Sequence, residues 1–341
     1  MKCCSNCFCD FFFAEKISLA ADETGKCSFC EEAVVDLISP EVFVDAFERF
    51  CDIFYKESID PNACSLSALM RSDWGLFNNL DSAQADALVG AILPEANEAR
   101  YVPVVPHDSS VVSRWKELRF ELKHENRFFP QKMSFRKENE GRLFGYLAAH
   151  DDPPRYFYRA RLLVEEESYD LADMGRPPCE ITSSGRANPV GIPYLYVATD
   201  KNTAIAEIRP YKSARVCVAT YELTEPLTFA DLRNPKDVIS PFLLVDDPNI
   251  PEEDLRSLRK YMPFLSRLGE ELSKPVSPQK SHLEYLPSQY LCEFLKHSGF
   301  HGVIYKSSVG AGVNYAIFDD SSFRGIEVKS YNVDDVAFSI T

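Results

Sequence analysis

Two hydrophobic periodicities divide the chain. From about Pro40, apolar residues recur at three- and four-residue steps, as in Val42, Phe43, Ala46, Phe47, Phe50 and Phe54. That spacing places them on one stripe of a helix. It predicts a helix closed by Asp60-Pro61, a second over Ser65 to Arg71, a third over Ser82 to Leu93 with Asp81 as N-cap, and a fourth over about Ser109 to Glu125. Tyr101-Val-Pro-Val-Val-Pro reads as an extended connector. From Tyr156 onward the pattern shortens. Tyr156 to Val164 alternates, and Tyr194 to Ala198, Val216 to Leu223, Leu227 to Leu232, Val303 to Tyr305 and Tyr315 to Phe318 are apolar runs of strand length. Helical stretches interleave: Thr203 to Ile208 behind the N-cap Asp200, and Tyr290 to His297 behind Leu286-Pro-Ser-Gln. The mixture predicts an α+β protein.

The same pattern suggests boundaries. Residues from about Phe128 to Pro154 are polar and end in Asp151-Asp152-Pro153-Pro154, a linker composition. Three domains are expected: 1–35, a helical domain over 36–152, and a mixed domain over 153–341 that carries a helical insertion at about 235–282.

Composition narrows the function. The apolar fraction of 45% supports a true core, and 52 acidic against 37 basic residues give a net charge of -15. That balance argues against a general nucleic-acid-binding surface. No apolar run approaches the length of a membrane span, and the first residues do not resemble a signal peptide. A cytoplasmic protein is expected, with no membrane partner; the oligomeric state, a homo-oligomer included, is open.

Of 11 cysteines, six fall in the first 30 residues. Cys4-Ser-Asn-Cys7 and Cys27-Ser-Phe-Cys30 are two C-x-x-C pairs separated by nineteen residues. This is the spacing of two knuckles sharing one structural zinc ion, with thiolates filling all four positions. An iron–sulfur cluster or a redox dithiol is the alternative, and Cys3 or Cys9 could replace a neighbouring ligand. Phe11-Phe12-Phe13 reads as a small core beside the metal. His107, His124 and Arg127 are assigned to solvated faces.

Candidate chemistry concentrates in the second half. Gly185-Arg186-Ala-Asn188-Pro189 is a turn-rich loop in which backbone can approach a ligand closely. Arg186 offers a planar fork of donors suited to phosphate or carboxylate. Glu207 lies among Ala204, Ile205, Ala206 and Ile208, where a carboxylate needs a partner or a task. An Arg–Glu pair that only braces the loop is the bland alternative. Arg159 and Arg161 share one face of a strand. The loop Gly310-Ala-Gly312-Val-Asn314 matches neither the dinucleotide fingerprint nor a P-loop, and there is no HExxH or G-x-S-x-G. Ser307 has no histidine placed for a triad and reads as a turn-capping hydroxyl.

Taken in order, these pieces resemble the RES-domain family over roughly Tyr156 to Phe318. The likeness rests on Tyr158-Arg159-Ala-Arg161; on Gly185-Arg186-x-Asn188-Pro; on Leu195-Tyr196-x-Ala198 with Thr203-Ala-Ile-Ala-Glu207; and on Pro287-Ser-Gln289 with Gly299-Phe-x-Gly302-x-x-Tyr305-x-Ser307 and Asn314. The resemblance implies an ADP-ribosyltransferase-like domain with a curved, split sheet around an NAD cleft. It implies an enzyme that degrades NAD+ as a glycohydrolase or phosphorolase, a toxin or defence effector of the RES–Xre type, restrained by a cognate antitoxin or other regulatory protein. By the same resemblance the catalytic residues are Arg159, Glu207 and Ser307, and the substrate-binding residues Arg159, Arg186, Tyr196, Ser307 and Asn314. Arg161 and Ser308 stand as alternatives to Arg159 and Ser307. An ADP-ribosyltransferase acting on a macromolecule and a non-catalytic zinc-containing interaction module are the rival readings.

Overall fold

A computed structural model describes residues 1–132, 140–164 and 168–335. Part of the expected linker, 133–139, and the end of the expected mixed domain, 336–341, lie outside the described residues. By packing the chain divides into two units. One comprises Met1–Val111 with Lys236–Leu265, the other Val112–Pro235 with Ser266–Thr341. Residues 112–132 and 140–152 therefore belong to the unit that holds the sheet, and most of the 235–282 segment belongs with the N-terminal residues. Among the described residues no helix is long and apolar enough to cross a membrane.

The first unit is helical around an aromatic core. Strands β1 (Glu23–Gly25) and β2 (Val35–Leu37) form a small antiparallel pair beside the cysteine knuckles. The helix Phe11–Ala20 starts at Asp10, whose carboxylate accepts from Phe12 N at 2.8 Å. Phe8 stacks on Phe13 with centroids 4.1 Å apart, and Phe50 stacks on Phe242 at 4.4 Å. The helix predicted to reach Asp60 spans only Val44–Phe54. Tyr55–Glu57 leaves it as β3 and pairs with β4 (Tyr101–Pro103), the expected connector. The helical periodicity stops at Phe54, and the next apolar residue, Tyr55, is buried from the strand. The helices Leu66–Trp74 and Ser82–Ile92 lie where the pattern places them, each with its polar N-cap, Ser65 and Asp81.

His107 departs from its expected solvated position. Its Nε2 lies 2.9 Å from Asp73 Oδ1, and its Nδ1 lies 3.1 Å from the Arg259 carbonyl. Asp73 is buried and also accepts from Tyr55 Oη at 2.8 Å and Arg259 Nε at 2.6 Å. Burial alone would raise the Asp73 pKa; the bonds from His107 and Tyr55 and the charge of Arg259 prevail and hold it below its ordinary value.

The second unit is built on one seven-stranded sheet. Its strands are β5 (Tyr156–Leu162), β6 (Leu195–Ala198), β7 (Arg215–Leu223), β8 (Phe229–Asp231), β9 (Gly302–Lys306), β10 (Val313–Ile317) and β11 (Phe323–Asn332). The order is β11-β7-β5-β6-β10-β9-β8, and only β8 and β9 run parallel. β5 pairs with β7 along its whole length, yet with β6 only at Tyr158↔Ala198. The sheet is thus split into two blocks joined at one residue pair, in line with the expected split sheet. Phe157, Leu195, Val197, Tyr221, Ile304 and Ile317 share the core on one face. On the other face Ala160, Ala198 and Val218 pack against Ala204, Ile205 and Ile208 of the helix Lys201–Glu207 and the residue that follows it. Backbone bonds from Ala149 N to Phe229 O and from Asp231 N to Leu147 O cover the β8 edge. β11 was not among the expected strands: its residues are mostly exposed or half-buried, and a bulge between Gly325 and Glu327 breaks its alternation.

Candidate functional site

A cavity of about 360 Å³ opens at the split. Three consecutive residues of β5, Tyr158 to Ala160, and three of β6, Tyr196 to Ala198, line it. Consecutive residues of a strand point to opposite faces, so the cavity lies along the strand edges and not over one face. Arg186, Glu207 and Asn314 line it as well.

Glu207 ends the helix Lys201–Glu207, which Asp200 starts by accepting from Thr203 N at 2.8 Å. Its Oε1 accepts from Ser307 Oγ at 2.6 Å and from Asn314 Nδ2 at 2.6 Å. Its Oε2 has no hydrogen-bond partner among the described residues. Ser307 follows β9, and its Oγ accepts from Gly310 N at 2.8 Å and Val309 N at 3.2 Å. The serine is therefore both the expected turn cap and a clamp on Glu207. Asn314 is buried on β10.

Arg186 does not pair with Glu207. Its Nη1 donates to the carbonyls of Leu272 at 2.7 Å and Lys274 at 2.6 Å, and its Nη2 donates to Ser308 Oγ at 3.1 Å. A guanidinium carries five N–H groups. Two brace the loop against a helix end, one goes to Ser308, and two have no acceptor among the described residues. The consecutive serines thus divide their tasks, Ser307 holding Glu207 and Ser308 holding Arg186.

The loop that carries Arg186 is tightly built. Tyr196 Oη accepts from Ala187 N at 3.0 Å and Asn188 N at 3.2 Å and donates to Asn188 Oδ1 at 2.7 Å. Gln289 Nε2 donates to Gly185 O at 2.8 Å and Asn188 O at 3.0 Å, and Ser288 Oγ donates to Arg186 O at 2.6 Å. A Cβ on Gly185 would lie 2.3 Å from Asn188 Oδ1 and 2.6 Å from Tyr196 Oη, so no larger residue fits. Tyr196, expected to face the substrate, lines the cavity with its ring while its hydroxyl is consumed by the loop.

Arg159 also lines the cavity, whereas Arg161 donates to the Asp173 carbonyl elsewhere. Arg159 Nη1 is buried without a hydrogen-bond partner among the described residues. Burial, and then the neighbouring Arg161 charge, push its pKa down to about 10, so it remains a cation at neutral pH. A guanidinium with a buried, unpartnered nitrogen favours an anion. The structure thus brings Arg159, Arg186, Tyr196, Glu207 and Asn314 to one cavity, with Ser307 bonded to Glu207. Tyr285 and Tyr305 line the cavity too, and Ser308 holds Arg186; from the sequence Ser308 stands only as the alternative to Ser307 and Tyr305 only as a motif position, while Tyr285, two residues before the Pro287-Ser-Gln289 motif, has no assignment.

In the first unit, Cys4, Cys7, Cys27 and Cys30 bring their sulfurs within 4.8 Å of one another. Cys4–Cys7 is 3.9 Å, Cys4–Cys30 3.4 Å and Cys7–Cys27 3.4 Å. An ion bound tetrahedrally at about 2.3 Å needs sulfurs about 3.8 Å apart, so these residues fit a metal ion. Cys3 Sγ instead faces the Ile38 carbonyl at 3.6 Å, and Cys9 Sγ faces the Asn6 carbonyl at 4.0 Å. Neither belongs to the four-sulfur cluster.

Comparison with known proteins gives a match of sequence. The family model described as the RES domain matches residues 157–340, more than half of the chain. No curated protein matches. Among solved structures, a chain from the M. tuberculosis MbcT–MbcA toxin–antitoxin complex is similar at 12% identity, covering 57% of this chain and 92% of that one, with a TM-score of 0.31. A likeness at that level carries no argument about function.

Proposed function

The chain belongs to the RES-domain family, and on that premise we propose that the cavity at the split binds NAD+ and cleaves its nicotinamide–ribose bond. The observation that carries this reading is the convergence of Arg159, Arg186 and Glu207 on one cavity, with Glu207 held by Ser307 and Asn314. Cations suit the pyrophosphate. The bond that breaks joins the ribose C1′ to the nicotinamide nitrogen, and its electron pair leaves with the ring, which becomes neutral. The ribose passes through an oxocarbenium-like state.

The free Oε2 of Glu207 is the group to accept a ribose hydroxyl and stabilise that charge. Ser307 and Asn314 fix the carboxylate, and the ring of Tyr196 forms the wall against the sugar or nicotinamide. Water then attacks C1′ and releases its proton to solvent, giving ADP-ribose, or inorganic phosphate attacks through an unprotonated oxygen, giving the 1-phosphate; the nucleophile distinguishes glycohydrolase from phosphorolase. Glu207→Gln should reduce nicotinamide release about 10²- to 10³-fold. Undiminished turnover removes Glu207 from the mechanism. Labelled NAD+ tests the acceptor, since a labelled macromolecule would establish transfer instead.

We further propose zinc as the ion of the Cys4, Cys7, Cys27 and Cys30 site, where four thiolates suit its softness and geometry. A toxin or effector role, in the cytoplasm and under a cognate antitoxin, is part of the same proposal. So is a functional division into a knuckle (1–35), a helical part (36–152) and a catalytic part (153–341).

A further inference from the structure

Four tyrosines line the cavity, Tyr158, Tyr196, Tyr285 and Tyr305. Three have limited freedom. The Tyr196 hydroxyl is held by its loop, Tyr305 is buried, and the ring of Tyr158 carries the Lys201 ammonium 5.6 Å from its centroid. Tyr285 is half-buried, and its hydroxyl makes no hydrogen bond among the described residues.

The backbone of Tyr285 is nevertheless fixed. Its N–H donates to Ser281 O at 3.0 Å, and its carbonyl accepts from Gln289 N at 2.9 Å and lies 3.0 Å from Ser288 Oγ, whose one proton it shares with the Arg186 carbonyl. Ser288 and Gln289 also grip the Arg186 loop. The same two residues therefore set Tyr285 and Arg186 in one frame. The Arg186 guanidinium lies 5.8 Å from the Tyr285 centroid, within cation–π reach. A ring presented this way suits a flat heterocycle. The adjoining positive charge disfavours the cationic nicotinamide and tolerates a neutral purine, while it attracts the phosphates attached to that purine.

On the reading of the cavity as an NAD+ site, on which this inference rests, we propose that Tyr285 stacks on the adenine of the dinucleotide while Arg186 meets the adjoining phosphates. Tyr285 is then a specificity residue that makes the enzyme prefer NAD+ over nicotinamide mononucleotide, which lacks the adenylate half.

The test measures nicotinamide release from both compounds by the full-length native chain and by Tyr285→Ala, Tyr285→Leu and Tyr285→Phe. The ratio of kcat/KM for NAD+ to that for the mononucleotide should fall about tenfold in the Ala and Leu variants, as lost base stacking implies, and hold in the Phe variant. Cleavage of the mononucleotide by the Ala variant also reports that it is folded. A ratio unchanged in Tyr285→Ala and Tyr285→Leu overturns the assignment of Tyr285, as does an equal loss for both compounds. A native chain that releases nicotinamide from neither compound overturns the reading of the cavity itself, a distinguishable result.

Discussion

At the residue scale, the site distinguishes groups that meet a ligand from groups that aim them. Glu207 has one oxygen held by two donors and one without a protein partner, the arrangement of a carboxylate oriented for use. Ser307 spends its proton on Glu207 and its acceptor capacity on two backbone N–H groups, so it acts through that carboxylate. Ser307→Ala should lower kcat about tenfold while leaving KM for NAD+ near its native value, because a net bond to a charged group of roughly 1.5–3 kcal/mol orients the acid without holding the substrate. Steady-state kinetics of nicotinamide release check this; a raised KM at constant kcat would place Ser307 on the substrate instead.

At the element scale, the cavity exists because two strands part. β5 is bound along its full length to β7 and touches β6 at one residue pair. The helices of the first unit hold a buried polar cluster beside their aromatic core. Asp73, near the end of the helix Leu66–Trp74, neutralises the buried Arg259. Because the folded state depresses the Asp73 pKa, its stabilising contribution is fully present above the ordinary value of 3.8 and is lost as pH falls through the lowered one. Unfolding in urea as a function of pH should show that loss. Asp73→Asn should cost about 3–5 kcal/mol near neutral pH by leaving a buried guanidinium uncompensated, and should flatten the acid limb of the profile.

At the scale of the whole molecule, the cysteine site and the cavity belong to different units. Beside the helix Phe11–Ala20 the strands of the N-terminal segment are three residues each, and a bound ion would supply much of its folding free energy. Purified protein should carry close to one zinc per chain by elemental analysis. A strong chelator, or Cys4→Ser with Cys30→Ser, should lower the temperature of the first unfolding transition. A metal-free native protein with the same transition would remove the ion from the fold.

The periodicities reached most of the helices and strands because a 3.6- or 2-residue repeat is a local property. Asp81, Ser65 and Asp200 likewise announced helix starts, since a cap needs only its neighbours. The cysteine spacing already contained the four-sulfur cluster, the two knuckles being short and self-contained. Other features had no local signature. Arg186 reads equally as brace or ligand until the carbonyls of Leu272 and Lys274 arrive from some 86 to 88 residues away. His107 looks solvated until Asp73 and Arg259 close around it. Tyr285 carries no motif; only the gripping of one loop by Ser288 and Gln289 brings its ring to the cavity. Sequence alone determined the family, many of the elements and which residues were candidates for chemistry. The tertiary structure decided which donors are spent and which remain, because hydrogen-bond capacity is finite and its partners lie far apart along the chain.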